Sequence, residues 1–343
     1  MTNKYLAFLY NVRHDYPDPN DPKTFLDADF DDPDTIKYFL KHLQSCGYNV
    51  LPIEANLESY EILRKNKNEI FLAFNYSEVV VGEKQHLQIT RYLEEFGIFH
   101  TGAGDFDQMV IRNKVEAKKV MAENNIPVLP DQAFKTGKER LNDNLKFPLI
   151  VKPSSQGSSA GITNKSIVNN SNELYDQVNE NISRFNDSVI VEPFLEGREF
   201  SIPLLGNKPE ILPIIEPNFN NLPEGYNHID SFEVKWIYEE DKAGSNHLMC
   251  PAKIDMNLKN KLDEIALKVW KALKAKDYCR MDIRCDRDEN PYVLEVNSPA
   301  GLIPPEVSMT SYLPLSARVM GLSFKELLQK IINSALERNA ILV

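Results

Sequence analysis

The stretch YCRMDIRCDRDENPYVLEVNSPAGL, residues 278–302, reads as a β-hairpin. One strand covers 278–285, a polar turn covers 286–290, and the return strand covers 292–297. Successive strand side chains point to opposite faces. Arg280 and Asp282 therefore share a face, as do Glu295 and Asn297 on the return strand. Pairing that aligns these faces brings together two carboxylates, an amide oxygen and a guanidinium. Hard oxygen donors in that number suit magnesium, with room for phosphate oxygens as the remaining ligands. Arg280 beside them can neutralise charge developing on a transferring phosphoryl group. Cys279 and Cys285 fall on the opposite face and are expected in the core. The alternative is an outward-facing charged ladder. The sharp break at Pro299 and Gly301, directly after the acid and amide, favours ligands presented at a strand end.

Two upstream segments have matching chemistry. PLIVKP, residues 148–153, is a buried strand ending at Lys152, and a Gly/Ser loop follows over 154–161. Exposed backbone N–H and hydroxyl groups in such a loop can close over phosphates. No G-K-[ST] ends it, so it is not a Walker loop, and its glycines follow the lysine, unlike a kinase glycine loop. An ordinary surface loop is the alternative. In VIVEPFLEGREF, residues 189–200, Glu192 and Glu199 flank a short apolar linker. Such a linker offers backbone groups to a purine edge, and an acid can take ribose hydroxyls. Two solvent-facing acids are the alternative. The isolated G-A-G at 102–104 lacks a third glycine and reads as a turn, so the dinucleotide fingerprint of a dehydrogenase is missing.

The first hundred residues alternate short apolar runs with amphipathic stretches. Strands are expected at 5–10, 49–53, 70–74 and 98–100. Helices are expected after the cap Asp32-Pro33 and over 84–96. Alternating β and α segments imply a parallel sheet covered by helices. Further helices are expected at 114–124, 173–185, 258–273 and 324–336, the 173–185 helix with Asn170 and Ser171 as candidate caps.

The chain has 343 residues, which suits two or three domains. Its 39 basic and 50 acidic residues give a net charge of −11, which argues against bulk nucleic-acid binding. The longest apolar runs hold about six residues against the ~20 a bilayer span needs, so no membrane helix is expected. No secretory signal is read at the start. Four cysteines without C-x-x-C, and six scattered histidines, give no zinc pattern. Free thiols of this kind fit a reducing cytoplasm.

Taken together, the strings TGAGDFDQMVIRNKVEAKK, FPLIVKPSSQGSSAGI, VIVEPFLEGREF, YCRMDIRCD and YVLEVNSPAGL resemble the ATP-grasp superfamily, and most of all its D-alanine–D-alanine ligase branch. The resemblance covers about residues 70–335 in order and spacing. It implies an α/β ATP-grasp fold of three domains, 1–112, 113–195 and 196–343, with the nucleotide between the central and C-terminal ones. Lys114 and Lys152 resemble the lysines that hold ATP phosphates, and Lys235 a further phosphate contact. Ser158 and Ser159 resemble the serines that cover the phosphates, and Ser158 also helps close the catalytic site. Glu192 and the backbone of Phe194 and Leu195 resemble the adenine-binding linker, and Glu199 the ribose-binding acid. Asp282, Glu295 and Asn297 resemble ligands of a magnesium pair, sites that manganese can also fill. Arg280 resembles the arginine that stabilises the intermediate, and Gly301 the glycine whose N–H lies near the reacting carboxylate.

The implied activity is an ATP- and magnesium-dependent carboxylate–amine ligase acting on an amino acid or small peptide in the cytoplasm. A homodimer is compatible with the resemblance, and nothing in the sequence shows its interface. Departures from the family fall where substrates would sit. The glycine-rich first turn is replaced by an acidic, proline-broken segment over 11–36, with Asp29 or Asp31 as replacements for the substrate-gripping acid. Ser308 or Ser311 stands near the family's substrate-site serine, and Asn113 replaces an aspartate before Lys114. D-alanine–D-alanine ligase proper and a catalytically idle ATP-binding regulator are the rival readings.

Overall fold

The structure is a computed structural model that describes residues 4–14, 30–82, 87–234 and 247–341. The chain opens with β1 (Tyr5–Tyr10), α1 (Pro33–Ser45), β2 (Val50–Glu54), α2 (Ser59–Asn66), β3 (Ile70–Asn75) and α3 (Thr90–Glu95). These strands form a parallel sheet in the order β2-β1-β3. Helical crossovers make parallel pairing possible, and Leu6 through Leu9 of β1 are fully buried.

Three local expectations change. Asp32 occupies the N-cap position of α1, yet its side chain makes no cap bond. It pairs instead with Arg13 at 3.4 Å. The helix expected over 84–96 is observed only at Thr90–Glu95, and residues 83–86 lie outside the described set. Upstream of it, the Leu87 carbonyl accepts from Val80 N–H at 2.8 Å, a contact that holds the chain out of helix. The strand expected at 98–100 is a single bridge between Ala73 and His100.

Next come α4 (Asp105–Arg112), α5 (Lys114–Glu123), β4 (Gln132–Phe134), β5 (Leu149–Pro153), β6 (Ile167–Val168), α6 (Ser171–Phe185) and β7 (Val189–Pro193). An antiparallel sheet of order β4-β7-β5-β6 packs on α6 around Leu149, Val151, Leu174, Val178 and Val191. Asn170 caps α6 by accepting from Glu173 N–H.

The remaining elements are β8 (Glu199–Leu205), β9 (Glu210–Ile211), β10 (Glu216–Pro217), β11 (Leu248–Met249), α7 (Met256–Ala272), β12 (Tyr278–Cys285), β13 (Pro291–Asn297), α8 (Tyr312–Val319) and α9 (Phe324–Arg338). Strands β13-β12-β8-β9 form a second four-stranded antiparallel sheet, and β10 pairs β11. The apolar stripe of α7 and residues Ala117 and Met121 of α5 cover one face of that sheet. Cys279 and Cys285 lie in that core, fully buried. Helix α9 packs on the N-terminal sheet beside α1. The uncovered face of the β8–β12–β13 sheet is thus turned toward β5 and β7. Among the described residues no helix is long and apolar enough to cross a membrane.

Candidate active site

The hairpin register is the one that strand alternation anticipates. Arg280 stands opposite Asn297, and Asp282 opposite Glu295, with a bulge directly after Asp282. The extra residue is Leu294 of β13, which lets Val293 face Ile283 in the core, where both are buried. Arg280 grips Asp282 with two bonds, Nε–Oδ1 at 3.1 Å and Nη2–Oδ2 at 2.8 Å. Asn297 donates to the same carboxylate at 3.0 Å, and Ser201 Oγ of β8 donates at 2.5 Å. Burial opposes charge on Arg280, but Asp282 outweighs it and raises the guanidinium's pKa above its usual range. The Tyr312 ring lies 5.0 Å from the guanidinium carbon.

These groups floor a cavity of about 1060 Å³ between the two four-stranded sheets. Lys114 begins α5, where Asn113 caps the helix by accepting from Val115 and Glu116 N–H. The Asn113 carboxamide oxygen thus satisfies N–H groups of the first turn. Lys114 Nζ donates to the Gln156 carbonyl at 2.6 Å and lies 3.1 Å from Glu295 Oε2. Burial alone would raise the Glu295 pKa, but Lys114, Arg280 and Lys152 hold it at about 2. Lys152 projects from the end of β5 and pairs with Glu192 of β7, which also pairs with Lys118. Glu192 is 1% exposed, and the two lysines overcome its burial and hold its pKa at about 2. The carboxylate expected at an adenine edge is thus occupied by two ammonium groups.

The linker after β7 runs through Phe194 and Leu195, both on the cavity wall. Phe194 N–H is bonded to the Pro148 carbonyl at 3.1 Å. Glu199 Oε2 accepts from Arg284 at 2.8 Å, and Arg284 lies over the Phe194 ring at 5.0 Å. Burial raises the Glu199 pKa, Arg284 opposes this, and Asp282 and Glu295 add to it. In the Gly/Ser loop, Ser158 and Ser159 both hold positive φ, +46° and +60°. Non-glycine residues adopt that region at a cost of order 1–3 kcal/mol. Ser159 Oγ donates to the Asp230 carbonyl at 2.6 Å, which ties this loop to residues beyond the linker.

The opposite end of the cavity is lined by Arg13, Asp31, Tyr76, Glu78, Arg112 and Gly301. Arg112 pairs with Glu78, and Arg13 donates to the Phe30 carbonyl at 2.5 Å. Burial pushes the Asp31 carboxyl up to about 7, against a Tyr76 hydrogen bond and the Arg13 charge, with Glu78 and Asp32 adding to the rise. Ser311 Oγ accepts from Ile303 N–H at 3.2 Å, and Ser308 pairs with Thr310. Lys235 and Asp29 lie outside the described residues.

The structure thus brings Lys114, Lys152, Ser158, Ser159, Glu192, Phe194, Leu195, Glu199, Arg280, Asp282, Glu295, Asn297 and Gly301 to one cavity. Sequence reading passed over Lys118 and Arg284. Both had a signal: Lys118 is one turn after Lys114, and Arg284 continues the alternation of Arg280 and Asp282. Ser201 had the same signal, two residues after Glu199 on β8, whereas Tyr76 and Arg112 had none.

The family model described as D-ala D-ala ligase C-terminus matches residues 120–333, more than half the chain. The D-alanine–D-alanine ligase A of Bacillus cereus is 30% identical, covering 87% of this chain and 91% of its own. An uncharacterized protein, y4sG, of Sinorhizobium fredii is 29% identical over 86% and 85%. A crystal structure of D-alanine–D-alanine ligase from Bacillus anthracis, complexed with ATP, superposes with a TM-score of 0.69. That match is 22% identical and covers 98% of this chain and 99% of the other, so it speaks to the fold.

Proposed function

The chain belongs to the D-alanine–D-alanine ligase family of ATP-grasp proteins and is an ATP-dependent ligase, and from that premise we propose that it joins a carboxylate to an amine on an amino acid or small peptide. The observation that carries the reading is the alignment of Arg280, Asp282, Glu295 and Asn297 on one cavity floor, facing Lys114 and Lys152.

In this reading the substrate carboxylate takes the γ-phosphoryl group of ATP, giving an acyl phosphate and ADP. The amine then attacks the acyl carbon. The tetrahedral intermediate expels phosphate, the amide forms, and the attacking nitrogen gives up a proton. Phosphorylation converts a poor leaving oxygen into a good one. The protein contributes position and charge. Lys114 and Lys152 hold phosphate oxygens, Ser158 and Ser159 cover them, and the family resemblance assigns Lys235, outside the described residues, a further phosphate contact. Phe194 and Leu195 offer backbone to the adenine, with Glu192 beside them, and Glu199 takes ribose hydroxyls. Arg280 neutralises the intermediate, and the Gly301 N–H faces the reacting carboxylate.

Two carboxylates and one amide are a short donor set that leaves places for phosphate oxygens, which fits magnesium. Asp282, Glu295 and Asn297 would hold it, and when bound it screens the negative phosphates from one another.

The test is phosphate release from magnesium-ATP against amino acids and dipeptides, singly and in pairs, with Glu295→Gln as control. Release that needs one pair and disappears in the control supports the ligase. ATP binding with no release under any pair supports an idle regulator instead. D-alanine paired with itself is the second reading, favoured by the Bacillus cereus relative.

A further inference from the structure

The turn 298–302 is held at both ends by side chains from the N-terminal part of the chain. Gln108 Nε2 donates to the Ser298 carbonyl at 2.5 Å, and Leu302 N–H donates to the Tyr76 hydroxyl at 3.0 Å. Between these ties, Ala300 is fully buried while Gly301 is exposed, with open space where a Cβ would stand. Tyr76 follows β3 and is 7% exposed. Its ring packs against Phe39 at 4.9 Å, and the Asp31 carboxyl lies near its hydroxyl on the same cavity wall. Asp31 is itself fixed through its backbone, whose carbonyl accepts from Arg13 N–H at 2.8 Å.

A phenol oxygen can donate one hydrogen bond and accept others. Here it accepts from Leu302, and the nearby Asp31 carboxyl can take the phenol proton. Either protonation form of Asp31 leaves an oxygen to receive the phenol proton. Leu302 is fully buried, so without Tyr76 Oη its N–H would have no partner named here and no water to replace it.

We propose that Tyr76 is a positioning residue: oriented by Asp31, its hydroxyl fixes the Leu302 amide and thereby aims the adjacent Gly301 N–H at the reacting group. This deepens the ligase reading and rests on it, because that reading places Gly301 at the reacting carboxylate. It also gives the acidic N-terminal segment a task in the chemistry beyond contact with substrate.

The test is hydrogen exchange on the full chain with magnesium and the β,γ-imido analogue of ATP, comparing wild type with Tyr76→Phe. Phenylalanine keeps the ring packing and removes only the hydroxyl. Amides at 300–302 should exchange about tenfold faster, the worth of one buried hydrogen bond, while those of β12 stay unchanged. Asp31→Asn keeps an oxygen acceptor and should retain slow exchange, whereas Asp31→Ala should share the fast exchange. In phosphate release with the best acceptor pair of the screen, Tyr76→Phe should lower kcat about tenfold and leave the KM for ATP within about twofold. Unchanged exchange at 300–302 overturns the clamp. Fast exchange with unchanged kcat overturns the positioning role and leaves the ligase reading standing. Absence of release from wild type overturns the ligase reading, and the exchange result still decides the clamp.

Discussion

Glu192→Gln isolates the charge arrangement at the centre of the cavity. Glu192 is 1% exposed and stands between Lys118, 2% exposed, and Lys152, 6% exposed. Both lysines pair with its two oxygens. Glutamine keeps the shape and one acceptor but removes the charge that faces Lys152 and leaves Lys118 with only Asp131, 3.5 Å away. Breaking a buried ion pair from one side costs about 3–5 kcal/mol. At that cost the melting temperature at pH 7 should fall by roughly 5–10 °C. The pH dependence has a definite sign. The folded Glu192 pKa is held at about 2, below its unfolded value. Its contribution is therefore fully present above the unfolded pKa and is lost as pH falls toward 2. A shift of that size corresponds to about 3 kcal/mol. The gap between wild type and variant should be widest at neutral pH, begin to narrow below about pH 4 and close as pH falls toward 2. Melts followed by circular dichroism across that range measure it. A gap under about 1 kcal/mol at pH 7, or one that widens on acidification, refutes the reasoning.

Arg280→Ala and Glu295→Ala should each lower turnover by about 10³-fold, roughly 4 kcal/mol of barrier, in the phosphate-release assay. Near-normal rates in both would remove the hairpin from the chemistry. Gly197→Ala places a Cβ 2.3 Å from the Cys285 carbonyl oxygen, a backbone atom that cannot swing aside. The linker must shift, and calorimetry should show weaker ATP binding together with a loss of about 1–3 kcal/mol in stability. Asp277 is fully buried and accepts from Gly102 N–H, Ser334 Oγ and Arg338. Asp277→Ala should cost about 3–5 kcal/mol, read by denaturant unfolding. Asp31 has a raised folded pKa of about 7, so its contribution is present below the unfolded pKa and is lost as pH rises through 7. Asp31→Asn should consequently gain stability relative to wild type at pH 8 and lose that advantage at pH 4.

The hairpin was legible because strand geometry converts spacing into position. A period of two puts Arg280, Asp282 and Arg284 on one face, and the observed register adds Glu295 and Asn297 to it. The Asn170 cap and the α7 stripe were legible for the same kind of reason, since both are local rules. The failures were also local rules, overridden by tertiary partners. Asp32 is the N-cap residue with Pro33 in the first turn, as expected, and only its side-chain cap bond is missing, its carboxylate facing Arg13 instead. The apolar pattern of 84–96 suits a longer helix, but Leu87 is drawn into a contact with Val80. At 98–100 the extended chain has room for one bridge beside β3 and no more.

The two ends of the cavity differ in the same way. The end proposed to hold phosphate is built from strand ends and one helix start, so each group keeps a fixed offset from an apolar run. Lys152 ends β5, Glu192 nearly ends β7, and Lys114 opens α5. The opposite end draws Arg13, Asp31, Tyr76, Glu78 and Arg112 from loops and from the close of α4, and the structure joins them to one another and to their neighbours by bonds across 17 to 226 positions. No periodicity links such residues, because a loop side chain's direction is set by what it meets rather than by its place in a repeat. A site whose energetic job is the same for every substrate can be assembled from repeating elements. A site that must distinguish one amine from another is set by which loop residues meet. That is why the reaction class could be read along the chain while the end proposed for the acceptor required coordinates.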